Sequence, residues 1–137
     1  MERFVIVMPV GTSAYLLPCD DGDTCKLETL QNLVGGPIEV VDSCLAGNWS
    51  RESDVEAVKL VVNEEGKLRD LQENENAATL YAYDFMDTLV GPAALVAVRG
   101  DELIGFAKPV AESICAEWEI PLEALGEGER FQTFNPD

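Results

Sequence analysis

The chain has 137 residues, 47% of them apolar, which suffices for one domain with a real core and excludes a disordered polymer. Acidic residues outnumber basic ones 26 to 9, for a net charge of −17. A surface of that sign excludes direct contact with nucleic acid and with anionic membranes, and it suits a basic partner, including a protein that itself grips DNA.

Phe4-Val-Ile-Val-Met8 is an unbroken apolar run, the pattern of a strand buried on both faces. Turn residues at Val10–Ser13 lead to a second strand over Ala14–Leu17, the two forming a hairpin that Pro18 ends. The loop Cys19–Thr24 offers Asp23 or Thr24 as cap for a helix. That helix is the most strongly patterned stretch of the chain. Leu27, Leu30, Leu33 and Val34 share one face; Gly35 permits the left-handed exit, and Gly36-Pro37 forbids resumption. Ile38-Glu-Val-Val41 then has β-branched strand composition.

Asp42–Asp54 reads as a surface loop whose Trp49 tucks against the core. Val55–Val62 is a strand, Asn63–Lys67 a hairpin turn with Gly66 at positive φ, and Leu68–Leu71 the returning strand. Ala77–Tyr83 fits a short helix or an extended segment equally. Asp87–Val98 is a long apolar strand region bent at Gly91-Pro92, after which Arg99–Glu102 turns the chain. Pro109 opens a last helix with Val110, Ala111, Ile114, Cys115 and Trp118 on one face, and Pro121 closes it. The acidic tail from Glu123 onward is loosely held. The order of elements implies one domain over residues 1–137 of α+β class. Its sheet is mainly antiparallel, with a barrel-like closure left open, and it carries two main helices.

No apolar run reaches the roughly 18 residues of a membrane span. The N-terminal apolar stretch is short and lacks a small-residue cleavage site, which points to a cytoplasmic protein. The sequon Asn48-Trp49-Ser50 is then idle. Cys19, Cys25, Cys44 and Cys115 include no Cys-x-x-Cys pair and the chain has no histidine, so no zinc site is expected and the cysteines read as free thiols, mostly buried. Asp20, Asp21 and Asp23 are bunched in a way that fails calcium-loop spacing, so no metal is assigned. Without histidine no Ser-His or Cys-His nucleophile can be built, and Gly35-Gly36 ends a helix where a phosphate loop would begin one. Adjacent carboxylates such as Glu73 with Glu75 and Glu117 with Glu119 are expected by chance in so acidic a chain. No catalytic residue and no cofactor is assigned.

Several short motifs follow one another in register: Leu33-Val-Gly-Gly-Pro-Ile-Glu39, Val61-Val-Asn-Glu-Glu-Gly-Lys-Leu68, Asn74 followed by Ala77, and Asp87-Thr-Leu-Val-Gly-Pro-Ala-Ala-Leu95. Over roughly residues 1–105 the chain resembles the bacterial and phage family known as domain of unknown function 3846. Residues 106–137, a helix and an acidic tail, and the loop Asp42–Asp54 look like local elaborations. Members of that family often carry a proline and an arginine around the asparagine, where Gln72 and Glu75 stand here. The resemblance implies a small cytoplasmic accessory protein of a mobile element and transfers no catalytic residue.

Two functional expectations follow. The first is a non-enzymatic interaction module that engages a basic protein through an acidic face including Glu117, Glu119, Glu123 and Glu127. The second is a small-ligand-binding or enzymatic domain with a pocket near Gly35-Gly36 and the Asn63–Lys67 turn, drawing on Glu39, Asn63, Lys67 and Asn74. Those four polar residues fit turn and cap roles as well. Oligomeric state is left open.

Overall fold

A computed structural model describes residues 2–45, 55–81 and 88–123. The expectations for Trp49, the sequon, Tyr83, Asp87, Glu127 and most of the acidic tail lie outside them. The elements run β1 (Phe4–Met8), β2 (Tyr15–Pro18), α1 (Leu27–Val34), β3 (Ile38–Asp42), β4 (Ala57–Asn63), α2 (Glu75–Leu80), β5 (Ala93–Arg99), β6 (Glu102–Ile104) and α3 (Lys108–Glu117). The class is α+β. All strand pairings are antiparallel, in the order β2-β1-β5-β4-β3, with β6 also on β5. The sheet is open, because β2 and β3 end the path without pairing to each other.

Helices cover both faces of this sheet, which explains the unbroken apolar runs of β1 and β5. Period-two alternation sends Phe4, Ile6 and Met8, with Leu60, Val62, Ala93, Leu95 and Ala97, to one face. There they meet Ala77 and Leu80 of α2 and Ala111, Ile114 and Cys115 of α3. Val5, Val7, Val61, Ala94 and Val96 take the other face, under Leu30, Leu33 and Val34 of α1. Each of those α1 side chains contributes about 1.5–3 kcal/mol of burial. Leu27 lies at the first turn and is exposed, so the buried stripe of α1 is one residue shorter than its spacing predicts.

Gly35 ends α1 at φ 82°, its N–H bonded to the Gln31 carbonyl at 2.9 Å. The other end departs from expectation. Neither Asp23 nor Thr24 caps α1; Lys26 stands at the N-cap without a side-chain cap bond, and Asp20 braces this end by accepting from the Lys26 N–H at 3.0 Å and the Thr29 hydroxyl at 2.8 Å.

No strand returns after Asn63. Residues 64–70 form successive turns, with Arg69 N–H on the Glu65 carbonyl at 2.9 Å and Leu71 N–H on that of Gly66 at 3.0 Å. The reason is that β3 and β5 already occupy both edges of β4, so a Leu68–Leu71 strand has no partner there. Positive φ falls at Asp70, not at Gly66. Gly66 is needed for close approach instead: a Cβ would come within 3.0 Å of Val90 Cγ2 and 3.3 Å of the Asn63 carbonyl.

The ambiguous stretch Ala77–Tyr83 is helical as far as Leu80, in a helix that begins at Glu75. Asn74 is its N-cap, with Oδ1 accepting from Ala77 N–H at 3.0 Å. Its amide donates to the Met8 carbonyl at 2.8 Å and the Gly91 carbonyl at 2.9 Å, tying the helix to the end of β1 and the approach to β5.

A short strand, β6, was not expected. It folds back on the end of β5 and takes the edge that β1 leaves: β1 pairs with Ala93–Leu95, β6 with Ala97–Arg99. The chain then rejoins β1 through reciprocal bonds between Phe4 and Phe106, at 2.8 and 2.7 Å. The chain after α3 is held as far as Glu123, whose N–H reaches the Ala14 carbonyl at 2.8 Å.

Asn74→Ala leaves two buried carbonyls and one helix N–H without their partner, and is expected to cost about 2–4 kcal/mol. The readout is a lower urea midpoint at unchanged slope. Burial within the α3 interface, aided by Glu112, raises the Cys115 thiol from 9.0 to about 11. The folded state therefore holds that proton more tightly than the unfolded one. Its contribution is complete below pH 9.0 and lost as pH rises toward about 11. Under reductant, the urea midpoint of the native protein should fall through that window, and that of Cys115→Ala should fall less steeply.

Candidate functional site

Two hollows lie on the side of the sheet that carries α2. The smaller, about 150 Å³, lies between β3, the end of β4 and the segment 88–90. Antiparallel register sets Glu39 opposite Val62, so Glu39 comes to its wall beside Asn63 and Lys67. Three of the four residues assigned to a ligand site are thus brought together, and Asn74 is not among them.

Asn63 is already engaged. Only 4% exposed, it donates to the Val34 carbonyl at 3.1 Å and accepts from Glu65 N–H at 2.7 Å, clasping the end of α1 to the turn after β4. Beside it Arg69 donates to the Gly35 carbonyl at 2.9 Å. Asn74 is likewise committed to three backbone groups. Glu39, Glu64 and Lys67 are the exposed polar members of the recess, whose volume is about half the lower limit of an ordinary small-molecule pocket, roughly 300 Å³.

The larger hollow is a cleft of about 670 Å³ at one end of the sheet. The β1–β2 turn (Val10–Ser13) forms one wall, Gln72, Glu73, Glu75 and Asn76 the other, and Pro121 closes a side. The Asn76 amide bridges the walls, donating to the Thr12 carbonyl at 3.3 Å. Because Asn74 is turned inward, its neighbours Glu73 and Glu75 are turned out. Both also line an adjoining hollow of about 290 Å³ with Ala78, Thr79 and Thr88. Among the described residues lining the two hollows there are two carboxylates and no cation.

Of the described acidic residues assigned to a partner face, none lines the cleft. Glu119, at φ 56°, and Glu123 flank the segment that brings Pro121 to the cleft, and Glu117 ends α3. Sequence reasoning treated Glu73 and Glu75 as a chance pair. The available signal was their spacing around a cap residue, which puts both on the solvent side.

Two of the three acids of the Asp20–Asp23 loop are committed to protein partners. Asp20 braces the start of α1, while Asp23 pairs with Arg99 at 2.9 Å, which holds its carboxyl below the usual range. Among the described residues no group of three or more metal-ligating side chains converges, and no helix is long and apolar enough to cross a membrane.

No curated protein and no solved structure matches this chain. A family model described as "Domain of unknown function (DUF3846)" matches residues 1–118, which takes in every strand of the sheet and all three helices. The chain therefore belongs to the DUF3846 family.

Proposed function

We propose that this protein is a non-enzymatic interaction module that holds a basic segment of a partner protein in the cleft between the β1–β2 turn and the start of α2. The observation that carries this reading is the lining itself: about 670 Å³ of open space with the carboxylates of Glu73 and Glu75 and no cation among the described lining residues. The Lys or Arg side chains of an extended peptide lying there would meet both carboxylates.

The whole chain supports the same choice. A net charge of −17 draws cationic partners from a distance, and steering of this kind raises association rates more than final affinity. The acidic residues assigned to a partner face, Glu117, Glu119, Glu123 and Glu127, would add to the negative charge that draws such a partner. On this reading the protein is a cytoplasmic accessory factor of a phage or mobile element, the setting its resemblance implies. Its partner is a basic protein, including one that otherwise holds DNA.

The test is binding of short Lys/Arg-rich peptides to the wild type and to a Glu73→Gln/Glu75→Gln variant, by calorimetry at low and high salt. Both glutamates are exposed, so the fold should survive. An ion pair in a water-like medium is worth about 1 kcal/mol, so the double variant, which loses two, should bind roughly thirtyfold more weakly. High salt should weaken the wild type more than the variant. Glu28→Gln, on α1 and the opposite face, should leave affinity unchanged. Equal affinity of the double variant and wild type, or binding indifferent to salt, would overturn the reading.

A further inference from the structure

Cys19 and Cys25 are separated by a five-residue loop, and their sulfurs lie 3.3 Å apart. Their backbones are pinned. Cys19 N–H donates to the Arg3 carbonyl and Cys25 N–H to the Leu103 carbonyl, each at 2.9 Å. The loop between them is stitched to the same place, by Arg3 N–H on the Gly22 carbonyl and Gly105 N–H on that of Asp23, also at 2.9 Å. The pair thus sits at the fork where β1 leaves β5 and β6 enters. A glycine makes room for it: a Cβ on Gly105 would lie 2.6 Å from Cys19 Sγ.

We propose that Cys19 and Cys25 form a reversible dithiol–disulfide site, closed by exchange with a low-molecular-weight disulfide such as oxidised glutathione. Closure needs the sulfurs to approach from 3.3 Å to about 2.0 Å. Both residues are half-buried, so an oxidant has access, whereas Cys115 is buried in the α3 interface.

The chemistry balances in two exchanges. The Cys19 thiolate attacks one sulfur of the small disulfide, forming a mixed disulfide and expelling one thiolate. Cys25 then gives up its proton, and its sulfur attacks Cys19 Sγ, expelling the second. The protein loses two hydrogens and two electrons, and one small disulfide becomes two thiols. The contact allows either thiol to donate, and the proposed order takes Cys25 as the donor. A hydrogen bond from the Cys25 thiol, helped by the Gly105 N–H, lowers the Cys19 pKa against the opposing effect of burial. The same contact holds the proton on Cys25 and raises its pKa. Once Cys19 is in the mixed disulfide it carries no charge, and that hold is released. The closed ring fixes the loop that carries Asp20, which braces the start of α1.

The experiment equilibrates the reduced full-length chain in glutathione buffers of increasing oxidised fraction, then quenches with acid, alkylates and maps peptides by mass. Cys19 and Cys25 should lose alkylation together, with intact mass lower by two hydrogens and full recovery on reduction. Cys25→Ser should stop at a glutathione adduct on Cys19, and Cys19→Ser should acquire far less adduct on Cys25. Melting curves confirm that both serine variants fold. Independent alkylation of the two thiols at every ratio, a mixed disulfide that persists in the wild type, or disulfides only between chains would overturn the proposal.

Discussion

The structure depends on burying both faces of β5 at once. This strand pairs with β4 along six residues, shares its other edge between β1 and β6, and places Ala93, Leu95 and Ala97 on one side and Ala94 and Val96 on the other. A strand covered on both faces must leave room for helices above and below, and the alanines supply it. Every other element is placed by this requirement: α1 on one face, α2 and α3 on the other, and the strand edges ordered outward to β2 and β3.

Packing at the centre also decides where polar groups are spent. Asn63 and Asn74 sit at the margins of the buried layers, where strands end and backbone groups lose their ladder partners. An amide that both donates and accepts can satisfy several such groups at once, and a buried group left unpaired is expensive. The two asparagines are therefore consumed in holding turns and helix ends. The residues beside Asn74 are displaced outward by the same geometry, which is how an internal cap produces an acidic cleft wall at Glu73 and Glu75. Scaffold and candidate interface are adjacent for this reason: fixing Asn74 fixes the direction in which its neighbours point.

The fork between β1 and β6 is a second place where fold and chemistry meet. A strand edge shared by two partners needs a close crossing, met here by Gly105 against Phe4. The crossing draws in the loop before α1, and with it two thiols that are otherwise unremarkable small apolar residues. Their proximity comes from backbone bonds to Arg3, just before β1, and Leu103 of β6, far apart in sequence.

Much of the framework was legible from local pattern. The periodicity of Leu30, Leu33 and Val34, the stop at Gly35, and the unbroken runs of β1 and β5 are properties of contiguous residues, and each element forms where its pattern lies. The α+β class and antiparallel sheet follow from their order. Partnership was not legible. Leu68–Leu71 carries an apolar signal but finds both edges of β4 taken, while Glu102–Ile104, only three residues long, becomes a strand because β1 vacates an edge. The stretch from Ala77 is helical because Asn74 caps it from a position fixed by Met8 and Gly91. Composition alone determined that this protein is strongly acidic. Only the tertiary structure decided which carboxylates share a cleft and which cysteines touch, because those distances are set by contacts between segments that no local pattern relates.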